Sequence, residues 1–254
     1  MILAVDIGNT NIVVGFLDKT NILHSGRIST DKNKTEVDFL IQLKLMLTIY
    51  NVSAMEIEGS ILSSVVPEVT KYVATAMKML LGKDPIIIGP GIKTGLNIKI
   101  DNPQTLGADR VSDAVCLIEE YKVPAIIIDM GTATTISIID SNKNHIGGMI
   151  IPGIKTSLES LSQHASQLPY ISLDEPKGLI GKNTIDCMKS GVIYGFASMV
   201  DGLIDKIKKE IGDDLVVIAT GGLANLILNH TRNNIIYDPD LLLKGLYYIY
   251  KKNI

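Results

Sequence analysis

The sequence predicts an α/β protein of two similar domains, and three observations support this prediction. Apolar segments of strand length alternate with segments of helix length along the 254 residues. Residues 1–16 form an apolar run, an Asp, a turn rich in Gly and Asn, and a second apolar run. The same arrangement returns at 125–140, half a chain later, which is typical of two related domains that face each other. Each copy precedes a third predicted strand, at 24–29 and at 145–151.

The first hairpin has the chemistry of a phosphate-binding turn. Ile2 to Val5 is predicted to form a buried strand, and Asp6 lies at the expected end of that strand. Gly8 to Asn11 supplies the turn, whose backbone N–H groups can hold phosphate oxygens. A carboxylate beside phosphate is favourable if a divalent cation lies between them. The alternative is an ordinary hairpin whose Asp and Asn only form the turn, but the second copy favours phosphate binding on both sides of a polyphosphate.

The remaining elements follow from periodicity and from Pro and Gly positions. In the first half we expect helices at 35–50, 67–81 and 106–121 and strands at 57–66 and 85–88. Pro124 ends the last of these helices, so residues 1–121 and 122–254 are the predicted domains. The second half predicts helices at 154–165, 184–211 and from Pro239, and strands at 215–219 and 235–237.

Two helices have predicted packing faces. In the first helix Val37, Leu40, Leu43, Leu47 and Tyr50 share one face. The long helix 184–211 carries several Gly, Ala and Ser residues. Glycine destabilises a helix by about 1 kcal/mol, so we expect a neighbouring helix or subunit to pack closely there.

Composition excludes several classes of function. The net charge is −3 and no basic stripe is present, so nucleic-acid binding is not indicated. No secretory signal and no apolar run of membrane-spanning length is found. Cys116 and Cys187 are far apart in helical patterns and are expected to be reduced and half-buried in a cytoplasmic protein. The four His residues lack metal-ligand spacing.

Three further motifs each allow two interpretations. Asp109 either caps the helix that it opens or accepts a proton from a substrate hydroxyl, with Arg110 holding a substrate anion. The Thr220-Gly221-Gly222 turn either only joins a strand to a helix or lets a flat ring approach the backbone. Thr184 either caps the long helix or contacts a ligand.

Taken together, these motifs resemble those of type III pantothenate kinases, which belong to the acetate and sugar kinase/Hsc70/actin superfamily. The matching segments occur in family order and cover nearly the whole chain. They are 6–11, 89–96, Gly107-Ala108-Asp109-Arg110, 129–134, Gly147-Gly148, 151–153, 181–184 and 220–222. The resemblance implies two ribonuclease H-like (actin-like ATPase) domains, each a mixed sheet flanked by helices, with a cleft between them.

The resemblance also implies the activity and the site residues. The expected reaction is ATP-dependent phosphorylation of pantothenate, the first step of coenzyme A biosynthesis, in a cytoplasmic homodimer without nucleic-acid or membrane partners. The general base would be Asp109. ATP would be bound by Asp6, Ile7, Gly8, Asn9, Thr10, Asn11, Ile12, Val13, Thr132, Gly221 and Gly222. Pantothenate would be bound by Gly107, Ala108, Asp109, Arg110 and Thr184, Mg²⁺ by Asp6, and K⁺ or NH₄⁺ by Asp129.

The sequence departs from the family pattern at one position, and two other functions also fit its motifs. The family usually has an aromatic residue lining the substrate site where this chain has Ile100, which could weaken pantothenate binding. The first rival is a kinase of the same superfamily for another small hydroxylated metabolite. The second is a nucleotide-binding accessory protein without turnover, although all the acidic residues of the kinase pattern are present.

Overall fold

The structure is a computed structural model that describes residues 1–254, and it divides into two units. The first unit comprises residues 1–121 and 240–254, and the second comprises residues 122–239. Residues 240–254 were predicted to belong to the second domain, but in the structure they belong to the first unit.

The first unit is built on a five-stranded mixed sheet in the order β3-β2-β1-β4-β5. Its strands are β1 (Ile2–Ile7), β2 (Asn11–Asp18), β3 (Asn21–Ser29), β4 (Gly59–Ser64) and β5 (Ile86–Ile87). A further two-residue strand, β6, spans Asn97–Ile98. The apolar strand β1 is buried along its whole length, antiparallel to β2 and parallel to β4. The carboxyl ends of β1 and β4 therefore lie side by side.

Helices cover both faces of this sheet. Helices α1 (Glu36–Ile49) and α2 (Pro67–Leu81) pack on the face that carries Leu3, Val5 and Ile7. The opposite face, with Ile2 and Ala4, is covered by α3 and by the C-terminal helix. Their bounds are α3 (Ala108–Glu120) and α7 (Leu241–Lys252), and short 3₁₀ turns span Ala54–Glu56 and Pro103–Thr105.

Close packing between α3 and α7 explains why the C-terminal segment lies with the first unit. A side chain at Gly245 would overlap the carbonyl of Ser112, so the two backbones meet. Lys244 and Lys252 of α7 form ion pairs with Glu120 and Glu119 of α3 at 2.6 and 2.7 Å. Contacts of this kind join residues more than a hundred positions apart, so periodicity along the sequence does not reveal them.

The second unit repeats the plan of the first. Its strands lie in the order β11-β10-β7-β8-β9, with β7 antiparallel to β8 and parallel to β10. Their bounds are β7 (Ala125–Met130), β8 (Ala133–Ile139), β9 (Asn144–Pro152), β10 (Val216–Thr220) and β11 (Ile236–Tyr237). The helices are α4 (Ile154–His164), α5 (Thr184–Ile211) and α6 (Ala224–Leu228). Ile126, Ile128 and Val192 belong to the core of this unit.

Two packing predictions differ from the structure. On α1 the buried residues are Phe39, Leu43, Met46 and Leu47, whereas Val37, predicted to be on the packing face, is half exposed. Cys187 is exposed rather than half-buried, while Cys116 is buried. None of the helices is both long and apolar enough to cross a membrane.

Candidate active site

In the first unit, Asp6 lies inside β1 rather than at its end, and it is buried. Its register partner on the parallel strand β4 is Ser63, so the two side chains share one face of the sheet. The Ser63 hydroxyl is fully buried and makes no hydrogen bond to another protein atom. A carboxylate and a hydroxyl oxygen side by side are the ligand types that a Mg²⁺ ion takes. The donor set at this strand end therefore fits a divalent cation.

The turn after β1 is closed by a hydrogen bond from the Gly8 N–H to the carbonyl oxygen of Asn11 at 3.0 Å. Asn9 and Thr10 lie in the turn, and Asn11 to Val13 begin β2. The side chains of Ile7 and Ile12 are buried in the core between the sheet and helices α1 and α2. These two residues can contact a nucleotide through their backbone only.

Asp109 stands in the first turn of α3, which begins beside the end of β4. Gly107, the residue that precedes the helix, faces Val65, and the Val65 N–H donates to the Ile7 carbonyl oxygen at 3.0 Å. The start of α3 and the end of β1 are thereby placed in one region of the first unit. The structure brings together Gly107, Asp109 and the strand that carries Asp6.

The Asp109 carboxylate is partly desolvated. Burial raises its pKa above the ordinary value, although the backbone N–H of Arg110, which donates to Oδ1 at 2.7 Å, acts to lower it. The Arg110 guanidinium also lowers it. Gly107, not Asp109, is the N-cap residue of α3, and it makes no side-chain cap. A carboxyl with a raised pKa in such a position can act as a proton acceptor.

Asp113 is a second acidic residue of this helix that the sequence did not single out. It is buried, and it lies one helical turn after Asp109 on the same face. Burial is the largest influence on the pKa of Arg110 and lowers it overall, whereas the carboxylates of Asp109 and Asp113 act to raise it. Arg110 is therefore close enough to both acidic groups to be influenced by their charge.

The second unit shows the same pairing of an acid with a hydroxyl. Asp129 on β7 has Thr220 on the parallel strand β10 as its register partner. Thr220 is buried and Asp129 half-buried. The pair again offers carboxylate and hydroxyl oxygens at the carboxyl ends of two parallel strands, a ligand set that fits a hard cation.

The turn that follows β7 is one residue shorter than the first turn. The Gly131 N–H donates to the carbonyl oxygen of Ala133 at 3.1 Å, and Thr132 lies between them. Gly221, with φ +95°, lies against this strand end, since a Cβ there would come within 2.6 Å of the Met130 carbonyl oxygen. Only glycine fits this close approach. The second unit therefore brings Asp129, Thr132 and Gly221 together.

Thr184 is the first residue of α5, and the helix is capped by Asn183, whose side chain accepts from the Asp186 N–H at 2.9 Å. The capping interpretation of Thr184 is therefore wrong. Thr184 instead lines an apolar groove of about 490 Å³ along α5. The groove is also lined by Leu161, Cys187, Gly191, Gly195, Phe196 and Met199.

Sequence reasoning missed Ser63 as the neighbour of Asp6. Ser63 stood in a predicted strand, but its position beside Asp6 depends on the register of two strands far apart in sequence. Thr220 could be associated with the site only weakly from the sequence, because it is the first residue of the Thr-Gly-Gly turn.

Two units of this kind define a fold class, that of actin-like ATPases and sugar kinases. The structure is similar over 98% of its length to the activator of 2-hydroxyisocaproyl-CoA dehydratase from Clostridium difficile with bound ADPNP, with a TM-score of 0.57, 13% identity and 93% of that chain covered. It is also similar to a conserved Campylobacter jejuni protein described as a Baf family transcriptional activator, with a TM-score of 0.59 and 24% identity. That match covers 99% of this chain and 98% of the other.

Sequence comparison defines the family more narrowly. The family model for type III pantothenate kinase matches residues 2–206. A type III pantothenate kinase of Exiguobacterium sp. strain AT1b is 47% identical over 253 residues, covering 100% of this chain and 99% of the relative. One from Halalkalibacterium halodurans is 44% identical over 254 residues and is matched along its whole length. The chain belongs to the type III pantothenate kinase family.

Proposed function

We propose that this protein transfers the γ-phosphoryl group of ATP to the primary hydroxyl of pantothenate. The product is 4′-phosphopantothenate, in the first step of coenzyme A biosynthesis, a role that belongs in the cytoplasm. Full-length similarity to type III pantothenate kinases supports this function. The structural observation that carries it is the position of Asp109, a half-buried carboxylate with a raised pKa near the end of the strand that carries Asp6.

ATP binding is assigned to the two turns. In the first unit, the segment from Asp6 to Val13 binds the phosphates through turn amides and the side chains of Thr10 and Asn11. In the second unit, Thr132 contacts ATP, and the backbone at Gly221 and Gly222 lies near the adenosine. Gly221 supports this assignment, because the absence of a side chain lets its loop pack directly against strand β7.

Asp109 serves as the general base in an in-line transfer. The pantothenate hydroxyl oxygen attacks the γ-phosphorus while the bond from that phosphorus to the oxygen of ADP breaks, and the hydroxyl proton passes to the Asp109 carboxylate. Holding the hydroxyl and the phosphoryl group in line supplies much of the rate. Arg110 and the backbone of Gly107 and Ala108 orient pantothenate.

Two cations, one divalent and one monovalent, are assigned to the site. Mg²⁺ would be held by Asp6 with Ser63 beside it, and it supplies neutralisation of the ATP phosphates when bound. Asp129, with Thr220, would hold the monovalent cation, K⁺ or NH₄⁺. Both assignments are supported by an acid that lies beside a buried hydroxyl-bearing residue on the neighbouring parallel strand.

Pantothenate binding and dimer formation are assigned to α5. Thr184 at its start contacts pantothenate, and the small residues along the helix pack against a second copy of the chain. The exposure of Gly191 and Gly195, which line the apolar groove, supports this interface. A second copy would bury the groove, and sedimentation analysis of the purified protein measures the dimer directly.

The test is a coupled assay of ADP release with and without pantothenate. We expect release that depends on pantothenate and on K⁺, and that falls when Na⁺ replaces K⁺. Release with another hydroxylated metabolite in a substrate panel, but not with pantothenate, would identify a different small-molecule kinase. Tight ATP binding without any pantothenate-dependent release would identify a nucleotide-binding accessory protein.

A further inference from the structure

In the first unit, the residue that follows strand β3 forms hydrogen bonds to the turn that joins β1 to β2. Strand β3 ends at Ser29, and the next residue, Thr30, is half-buried. The Thr30 hydroxyl Oγ1 donates to the Gly8 carbonyl oxygen at 2.7 Å. Its backbone N–H donates to the Thr10 carbonyl oxygen at 3.0 Å. One threonine thus fixes two carbonyls of the turn.

The second unit fixes its turn in an equivalent way with two residues. Strand β9 ends at Pro152, and the N–H of Gly153 donates to the Thr132 carbonyl oxygen at 3.1 Å. In the first turn of α4, the Thr156 hydroxyl Oγ1 donates to the same oxygen at 2.8 Å. A threonine hydroxyl therefore holds the turn in each unit, although the two threonines stand at different positions after the third strand.

These hydrogen bonds determine where the turn amides point. In a trans peptide the C=O and the following N–H point in opposite directions. With the Gly8 and Thr10 carbonyls directed at Thr30, the N–H groups of Asn9 and Asn11 are directed away from it. In the second unit the Ala133 N–H is likewise directed away from Thr156. Amides fixed in this way form a preorganised anion site.

We propose that Thr30 and Thr156 are positioning residues for the ATP phosphates, each holding a turn carbonyl so that the next amide faces the nucleotide. The proposal rests on the proposed function, since it concerns the same turns. Neither side chain needs to touch ATP, because each acts through the peptide group that it fixes.

The experiment removes each hydroxyl while keeping the shape of the side chain. Thr30→Val and Thr156→Val lose the hydrogen bond, whereas Thr30→Ser and Thr156→Ser keep the hydroxyl. Thr75→Val is the matched control, because the Thr75 hydroxyl donates to the Lys71 carbonyl oxygen at 2.9 Å on the exposed surface of α2. The measurements are the Kd for ATP with Mg²⁺ by calorimetry and the KM values for ATP and pantothenate.

A single hydrogen bond of this kind has a modest net value, so we expect each Val variant to weaken ATP binding roughly three- to tenfold. The KM for pantothenate should stay within about twofold, and the Ser variants should restore the ATP affinity. The control should bind ATP like the wild type.

Unchanged ATP affinity in both Val variants would overturn the inference. So would equal weakening of ATP and pantothenate binding that the Ser variants fail to restore, since that indicates a general structural effect. Failure of the proposed function gives a different result: the wild type would bind ATP without pantothenate-dependent ADP release. The Kd for ATP still decides the role of the two threonines in that case.

Discussion

The carboxylate of Asp109 lies in the space that a side chain at Gly107 would occupy. Gly107 has φ −58° and ψ 144°, a backbone conformation that alanine adopts readily. Glycine is therefore required here for space and not for its conformational freedom. The glycine allows the acidic side chain to lie back over the start of its own helix.

Gly107→Ala should displace the Asp109 carboxylate, the proposed general base, without unfolding the protein. The atom that the new methyl group meets is the end of a rotatable Asp side chain, which can turn aside at little cost. We expect kcat to fall about tenfold or more, because a misplacement of about 1 Å reduces catalysis strongly. Steady-state kinetics and a thermal unfolding curve measure both effects. Full activity in Gly107→Ala would show that the observed carboxylate position is not the working one.

The raised pKa of Asp109 predicts a specific pH dependence. Burial raises this pKa above 3.8, and a general base must be deprotonated to act. The rate therefore falls as pH decreases through the pKa, and this acid limb lies at higher pH than an ordinary carboxyl would give. A pH profile of kcat/KM for pantothenate measures it. Persistence of the same limb in Asp109→Asn would assign the limb to another group.

Gly153→Ala tests the second turn by a different route. A methyl group at Gly153 would overlap the carbonyl oxygens of Gly131 and Thr132, which are backbone atoms and cannot rotate away. Overpacking of this kind destabilises by about 1–3 kcal/mol, and ATP binding should weaken as well. Urea unfolding and ATP titration are the measurements. Gly178→Ala is the control, because nothing lies within 4 Å of its added Cβ, and equal effects of the two changes would contradict the explanation.

Asp201 on α5 is predicted to be structural. It is buried and accepts hydrogen bonds from the backbone N–H groups of Arg232 and Asn233, both at 3.0 Å, and from the Asn233 side chain at 2.9 Å. Burial acts to raise its pKa, but the hydrogen bonds from Arg232 and Asn233 outweigh it and lower the pKa. Its stabilisation is therefore present above the unfolded pKa and is lost as pH falls through the folded one.

Asp201→Ala should lower the free energy of unfolding by about 1–3 kcal/mol, because it leaves three part-buried donors of Arg232 and Asn233 without their acceptor. Asp205→Ala, which removes the partly exposed partner of the Arg232 guanidinium, should lower it by less than about 1 kcal/mol. Urea unfolding at neutral pH compares them. Similar losses in the two variants would refute the structural role of Asp201.

Local signals were sufficient to predict some elements from the sequence. Helix α2 spans Pro67–Leu81 as expected, because Pro67 fits a first helical position and Gly82, with φ +70°, ends the helix. Helix α5 spans Thr184–Ile211 as expected, ending before Gly212. The two hairpins were also predictable, since each combines an apolar strand with a turn of Gly and polar residues.

Features that depend on distant contacts could not be predicted in this way. Helix α1 is apolar on nearly every side, so periodicity did not distinguish buried Phe39 from exposed Ile41. The pairing of Asp6 with Ser63 depends on strand register, and the contact of Thr30 with Gly8 depends on where β3 ends. The packing of α7 in the first unit follows from its close contact with α3, which no local pattern encodes.

The proposed phosphoryl transfer depends on the Asp109 carboxylate, and the turnover of Asp109→Asn measures that dependence. Burial raises the pKa of Asp109, so the ionised carboxylate lowers the stability of the folded protein, and the neutral side chain of Asn should leave the variant at least as stable as the wild type. A thermal unfolding curve and the Kd for ATP serve as controls. We expect kcat to fall ~10²–10⁴-fold while the affinity for ATP stays within about twofold of the wild type. A kcat close to that of the wild type would show that Asp109 is not the general base.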